Sequence, residues 1–179
     1  MIRLLLEVEG WKLRDLAAIG VVHGPGSFTG VRVGLSAAKG LSEAGRVPLI
    51  AVSRLALLAN SAGEIEGDVC AVLDAGRGEF YCGIYKHRQR RSEALLTAEE
   101  IARASDEVGA LVVCEESVRE ALGALGPLLV NEPRAADALP FVAERVVSGQ
   151  FDDAATIDAN YLRRTDLEIS AKIAERTGR

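Results

Sequence analysis

A chain of 179 residues, 49% hydrophobic and 26% charged, is long enough to bury one substantial core or to form two small lobes, and a globular protein is expected. Its formal net charge of −5 excludes a uniformly basic nucleic-acid surface while leaving room for a local basic patch. Arg3 is followed by only three leucines before Glu7, which is no signal peptide, and no apolar run approaches the ~20 residues of a spanning helix, so a cytoplasmic location without membrane contact is expected.

Residues 1 to 9 place Ile2, Leu5, Leu6 and Glu9 at helical spacing, with Gly10 ending the helix. Trp11 to Leu16 is a connector, and AAIGVVHG, 17 to 24, reads as a buried strand. His23 at its end has no identifiable carboxylate partner and is read as a packed strand terminus rather than a base.

The stretch GPGSFTGVRVGLSAAKGLSEAG, 24 to 45, organises the rest. Pro25 fixes its own φ and the flanking Gly24 and Gly26 tolerate positive φ, so the chain turns sharply. Ser27 or Thr29 then caps a helix running to about Ala44, with Gly45 supplying the stop. At 100° per residue, Gly30, Gly34, Ala37 and Leu41 fall on one side, Val31, Leu35 and Ala38 on a second, and Arg32, Ser36, Lys39 and Glu43 on a polar third. The apolar arc is wider than one core requires. It predicts packing on the helix's own domain and against a second neighbour, which is either another helix of this chain or another polypeptide. The glycines would let that neighbour approach closely, each at about 1 kcal/mol relative to alanine.

The free N–H groups at this helix start also favour an anion. Yet the spacing matches neither GxxxxGK[ST] nor GxGxxG, and Pro25 breaks GxSxG, so Ser27 is read as a cap and not as a nucleophile.

Val47 to Val52 is a short strand, and Ser53 starts a helix of leucines and alanines to about Ala62, where GEIEGD marks a boundary. Two units follow from this: 1–62, carrying the glycine-lined helix, and 63–179. Val69 to Leu73 and Glu79 to Lys86 read as antiparallel strands joined at AGRG, with Phe80, Cys82 and Ile84 on one face and Tyr81, Gly83 and Tyr85 on the other. KHRQRR, 86 to 91, is a solvated hairpin tip, with contact to a phosphate backbone as the rival reading. Thr97 to Glu100 fits a capping box and starts a helix to about Ala104. Ala110 to Cys114 is a strand, Ser117 caps a helix to about Leu122, Leu128 to Val130 is a strand, and 135 to 149 is a helix that starts or kinks near Pro140. The alternation gives an α/β class. DLEISAKIAERTGR closes the chain as a charged helix.

Cys70, Cys82 and Cys114 are odd in number, lack CxxC spacing and lie in apolar runs; they are read as reduced core residues. His23 and His87 are the only histidines, so neither HExxH nor a zinc site is available, and no metal is expected.

GPGSFTGVRVGLSAAKGL closely resembles the signature of the TsaB (YeaZ) family, the partner subunit in bacterial tRNA threonylcarbamoyladenosine synthesis. DAGRGEFY, 74 to 81, is similar to that family's Asp-Ala-Arg-x-Gly-Glu-x-Tyr stretch, and Tyr161, Leu162 and Arg163 resemble its closing segment. The resemblance implies an actin-like (ASKHA, ribonuclease H-like) α/β fold and a non-catalytic scaffold for a TsaD-like paralogue, working with a TsaE-like ATPase. The HxxxH metal pair of the TsaD relatives is absent from this sequence. Gly30, Val31, Gly34, Leu35, Ala37, Ala38 and Leu41 become partner-binding residues, a homodimer is expected in isolation, and tRNA is contacted indirectly. No cofactor is expected for the chain itself, with ATP or ADP only within the complex. Gly24, Gly26, Ser27 and Thr29 with Asp74 and Arg77 are then the residues of a vestigial or shared nucleotide site. The preferred reading is that Asp74 caps its turn and Arg77 is solvated. Relatives open with strands carrying an acidic DT or DTS element, and no such strands precede residue 1; a fragment, a misassigned start or a shortened variant with a partner-covered sheet edge are the expectations. The rival functions are an actin-like ATPase or kinase, a peptidase of the M22 glycoprotease type, and a homodimeric regulator.

Overall fold

The structure is a computed structural model describing residues 2–162; the closing segment read from sequence as a charged helix lies outside the described residues. In chain order the elements are α1 (Ile2–Glu9), β1 (Ile19–Val22), α2 (Phe28–Gly45), β2 (Leu49–Val52), α3 (Arg54–Asn60), β3 (Val69–Gly76), β4 (Glu79–Lys86), β5 (Gln89–Thr97), α4 (Ala98–Ala104), β6 (Ala110–Val113), α5 (Glu116–Ala121), β7 (Leu128–Leu129) and α6 (Leu139–Val147).

The strands form a parallel pair, β1–β2, and a mixed sheet in the order β5-β4-β3-β6-β7. Within the latter β4 runs antiparallel to both β5 and β3, while β6 and β7 follow β3 in parallel. Period-two alternation splits β3 and β4 between two cores. Val69, Ala71, Leu73 and Tyr85 face a core with Ile50, Val52 and the leucines of α3. Cys70, Val72, Phe80 and Cys82 face another with Ile101, Leu111, Val113 and Val118.

Helix α3 is apolar all round, and Leu55 to Ala59 are all buried, as expected of a helix enclosed on every side. It lies close on β4 because residue 83 is glycine: a Cβ there would come within 2.7 Å of the Tyr85 ring and 3.1 Å of Leu55 Cβ. The β3–β4 turn places both Arg77 (φ 59) and Gly78 (φ 76) in the left-handed region, the requirement of a two-residue hairpin with right-handed strand twist.

Several boundaries differ from the sequence reading. The stretch after the basic tip is a full strand, β5, and the turn itself is only His87 and Arg88; the exposed charges of Gln89 to Ser92 hide an edge strand whose apolar half comes later. Gly45 does not stop α2 by taking positive φ; Arg46 does, at φ 51. Gly45 is small because Leu13 packs on it, with a Cβ there only 2.7 Å from Leu13 Cγ. Ser117 sits inside α5, whose N-cap position is Glu115 without a side-chain cap, because the Glu115 carboxylate instead accepts from the Asp74 N–H at 2.8 Å. Residues 135–138 form a separate 3₁₀ turn before α6, and Pro140 falls within the first helical turn, where its missing N–H costs nothing.

The outer side of β2 is held by Asp152. Its N–H donates to Leu49 O at 2.9 Å, its carboxylate accepts from Ala51 N at 2.7 Å, and Arg145 reaches it at 3.0 Å. Burial pushes this carboxyl up, but the Arg145 hydrogen bond, the Ala51 N–H and the guanidinium charge outweigh it and hold the group below 3.8. A carboxyl depressed in the folded state stabilises above its unfolded pKa, and that contribution disappears as pH falls through the folded value. Melting temperatures measured from pH 7 to pH 2 are therefore expected to show Asp152→Asn below the wild type at neutral pH, with the gap closing at low pH; a constant gap would refute the linkage.

Candidate partner-binding surface

Ser27 caps α2, accepting from Gly30 N at 3.4 Å, and Thr29 lies in the first helical turn with an exposed side chain. The preceding turn is buried at Gly24 and Pro25, with a cis Gly24–Pro25 peptide. Gly24 O accepts from Arg54 N at 2.7 Å, so the turn is tied to the start of α3. Val31 is half-buried and packs over the turn, 3.7 Å from the Cβ positions of Gly24 and Gly26.

The helix then divides into two sides. Leu35, Ala38 and Ser42 are buried, and Ser42 Oγ donates to Val47 O at 2.7 Å. Gly30, Val33, Gly34, Ala37 and Gly40 are exposed and Leu41 is half-buried. Among the described residues, a Cβ at Gly34 or at Gly40 would meet nothing within 4 Å beyond the helix's own backbone and the flanking residues. Of the residues read as partner-binding, Gly30, Gly34 and Ala37 thus share the open stripe, Leu41 borders it, and Val31, Leu35 and Ala38 turn toward the chain's own core. Val33, 64% exposed, and Gly40 belong to the stripe and were missed; Val33 stands at i+3 from Gly30, and Gly40 at i+7 from Val33 and i+3 from Ala37. Helix α1 adds Ile2, Leu4, Leu5 and Val8, all exposed, with Trp11 after it.

The nucleotide-site residues stand in two places. Asp74 is exposed and its carboxylate accepts from Gly76 N at 2.7 Å, the turn-capping geometry. Arg77 is exposed in the left-handed first position of the β3–β4 turn. Between Asp74 and the Gly26 turn lies Arg54, which pairs with Glu132 at 2.9 Å and Glu115 at 3.7 Å. A guanidinium flanked by two carboxylates has much of its charge answered before any phosphate arrives. Among the described residues no group of three or more His, Cys, Asp or Glu is placed to hold a metal ion.

Behind the turn lies a polar hub that the sequence does not reveal. Glu93 of β5, its side chain 3% exposed, accepts from Ser53 Oγ at 2.5 Å, from Asn160 Nδ2 at 2.6 Å and from the Tyr85 hydroxyl. Burial, with the Glu93 charge added, pushes the Tyr85 phenol well up, so it stays a donor. Asn160 N also donates to His23 O at 2.8 Å, and His23 Nδ1 donates to Asp158 O at 3.2 Å. The hub therefore fastens residues 158–160 beside the turn. Tyr161 then lies against Phe28, ring centroids 5.8 Å apart, over a cleft of about 230 Å³ lined by Gly26, Val31, Tyr81 and Asn160.

Comparison with known proteins assigns the class and then the family. Two solved structures from Pseudomonas aeruginosa superpose on this chain: an uncharacterized protein with similarity to peptidase YEAZ, with TM-score 0.72 and 31% identity over 91% of this chain and 81% of that one, and YeaZ, with TM-score 0.73 and 30% identity over 90% and 82%. The fold is the actin-like (ASKHA, ribonuclease H-like) α/β fold. A family model described as TsaD, tRNA N6-adenosine threonylcarbamoyltransferase, matches residues 1–125. The Escherichia coli K12 tRNA threonylcarbamoyladenosine biosynthesis protein TsaB is 30% identical over 91% of this chain and 78% of its own length. The Bacillus subtilis protein of the same name is 41% identical over 42% of this chain, a match spanning 33% of that relative. The chain belongs to the TsaB (YeaZ) family.

Removing the Glu93 carboxylate takes the acceptor from two buried donors, Ser53 Oγ and the Tyr85 hydroxyl, and from half-buried Asn160 Nδ2. Glu93→Ala is expected to cost about 3 kcal/mol and to lower the melting temperature by about 6–12 °C in a chain of this size. Thermal unfolding followed by circular dichroism checks this, and a fall below 2 °C would show that the hub contributes little.

Proposed function

We propose that this chain takes part in tRNA threonylcarbamoyladenosine biosynthesis as a non-catalytic scaffold that binds and stabilises a TsaD-like transferase. The observation that carries the proposal is the open stripe of α2: Gly30, Gly34, Ala37 and Gly40 expose small residues with apolar Val33 between them, a surface against which a second helix can pack with close backbone approach. In the absence of the transferase the same stripe pairs with a second copy of this chain. The TsaE-like ATPase and ATP or ADP act within the complex, and tRNA reaches the assembly through the transferase. No helix of the described residues is long and apolar enough to cross a membrane, and the reading places the complex in the cytoplasm.

The division into 1–62 and 63–179 belongs to the proposal as well, with the partner surface carried by the first unit. The rival reading, an ATPase acting alone, needs a phosphate site, and two observations tell against it: the Asp74 carboxylate is engaged by Gly76 N, and Arg54 is engaged by Glu115 and Glu132. Its discriminating measurement is titration of the isolated chain with magnesium and ATP, where tight binding with turnover would favour the enzyme.

Gly34→Leu tests the scaffold directly. Among the described residues, and apart from the helix's own backbone and the two flanking residues, nothing lies within 4 Å of a Cβ there, and the substitution raises helix propensity by up to about 1 kcal/mol, so the monomer is expected to melt at or above the wild-type temperature. Co-purification with the TsaD-like subunit is expected to be abolished. Undiminished pull-down would remove the interface.

A further inference from the structure

The tip of the β4–β5 hairpin concentrates positive charge in a chain that is acidic overall. Residues 86 to 91, KHRQRR, are all exposed, so four lysines and arginines stand in six residues of a protein with formal net charge −5. The turn is tight, with His87 at φ 53 and Lys86 paired with Gln89 across it. Beside it the register slips: Tyr85 pairs with Arg90 and Ile84 with Ser92, which leaves Arg91 as the unpaired residue of a bulge. Lys86, Arg88 and Arg91 line one wall of an open groove of about 1170 Å³, whereas Arg90 pairs with buried Glu93 at 3.8 Å. Only part of this charge is answered. Arg88 meets Glu144 at 3.3 Å, but among the described residues neither Lys86 nor Arg91 has an ion pair, and Glu64 and Glu66, exposed on the facing wall, form none with them. Charges on an edge strand keep other strands away from it, and Arg90 and Arg91 serve that end on β5. That role does not account for Lys86 on β4 or for Arg88 in the turn.

We infer that this tip contacts the phosphate backbone of RNA, with Lys86, Arg88 and Arg91 acting as point charges and no base being read. The inference takes tRNA as the RNA from the pathway reading above and does not depend on the α2 interface. A backbone contact needs several cations held close together at the surface and no apolar anchor. A protein partner calls for a different surface, because interface centres are aromatic and apolar and are poor in lysine. None of the exposed large apolar side chains among the described residues falls within 60–67 or 86–91. The same absence of an exposed Phe, Tyr or Trp leaves unstacked bases without a platform. The backbone is what remains for such a surface to hold. With the chain as a whole negative, the contact is confined to the tip and adds to the hold that the transferase itself has on the RNA.

The test titrates the full chain onto a fluorescein-labelled, unmodified tRNA transcript between about 50 and 200 mM salt, alone and mixed with the purified TsaD-like subunit, with subunit binding followed in parallel by biolayer interferometry. Wild type is compared with the double variant Lys86→Gln, Arg91→Gln, with the charge-keeping pair Lys86→Arg, Arg91→Lys, and with Gly34→Leu. Both double variants should melt within about 2 °C of wild type, the side chains being exposed. The neutral pair is expected to bind the transcript about 10-fold more weakly at the lowest salt, with a log–log salt slope shallower by about 1.4 to 1.8, while the charge-keeping pair stays within about threefold of wild type. RNA affinity within twofold of wild type and an unchanged slope in the neutral pair would overturn the contact. So would a charge-keeping pair as weak as the neutral one, or a wild-type chain with no salt-dependent RNA binding in either format. Loss of subunit binding with RNA binding retained in the neutral pair makes the tip a protein surface and also overturns it. If Gly34→Leu leaves subunit binding intact while the neutral pair loses RNA, the α2 interface falls and the backbone contact stands.

Discussion

One constraint governs the molecule: α2 is fastened on one side only. Leu35, Ala38 and Ser42 are buried, Val31 closes over the Gly24 turn, and the turn is tied to α3 through Gly24 O and Arg54 N. The opposite side of the same helix has no neighbour among the described residues that a side chain at Gly34 or Gly40 would touch. A helix held so firmly presents its free side in a fixed orientation, which removes ordering cost from any association that uses it.

The fastening depends in turn on α3 and the Glu93 hub. Because α3 is enclosed by both the β1–β2 pair and the five-stranded sheet, its N-cap, Ser53, lies at a junction. Ser53 both accepts from Leu55 N, which starts the helix, and donates to Glu93. A buried carboxylate with three donors is stable only when all three are present. The hub therefore couples the placement of α3, of β4 through Tyr85 and of residues 158–160. Disturbance at any one of them shifts the bed on which the α2 N-terminus and Tyr161 rest.

How much of this was legible in the sequence follows from the range of each interaction. The Gly24 turn, the Ser27 cap and the Thr97–Glu100 capping box, where Glu100 accepts from Thr97 N at 2.7 Å, are local, and the residues that make them stand within a few positions of one another. The two faces of β4 were equally plain, since alternation is a nearest-neighbour pattern, but that each face meets a separate core was not read. What was not legible joins distant segments. Glu93 lies 67 residues from Asn160 and 40 from Ser53, and on its own strand it reads as one more charge in a polar run. The same run concealed β5. Ser117 misled because its rival for the cap position, Glu115, is drawn away to Asp74 by a contact across the sheet. Arg32 was placed on the polar side of α2, correctly, but its stacking on Tyr161 crosses most of the chain and has no local signature.

The glycines show why a wide apolar arc has two causes that only coordinates separate. Gly45 and Gly83 are small for the sake of this chain: a Cβ at either would come within 2.7 Å of Leu13 or of the Tyr85 ring. Gly34 and Gly40 satisfy no such need, have no positive φ among them, and sit inside a helix where each forfeits about 1 kcal/mol relative to alanine. Neither backbone conformation nor internal packing accounts for them. On the scaffold proposal, a partner packing on this side of α2 accounts for them. The residue type points to the kind of contact: no side chain at all, where a backbone comes close.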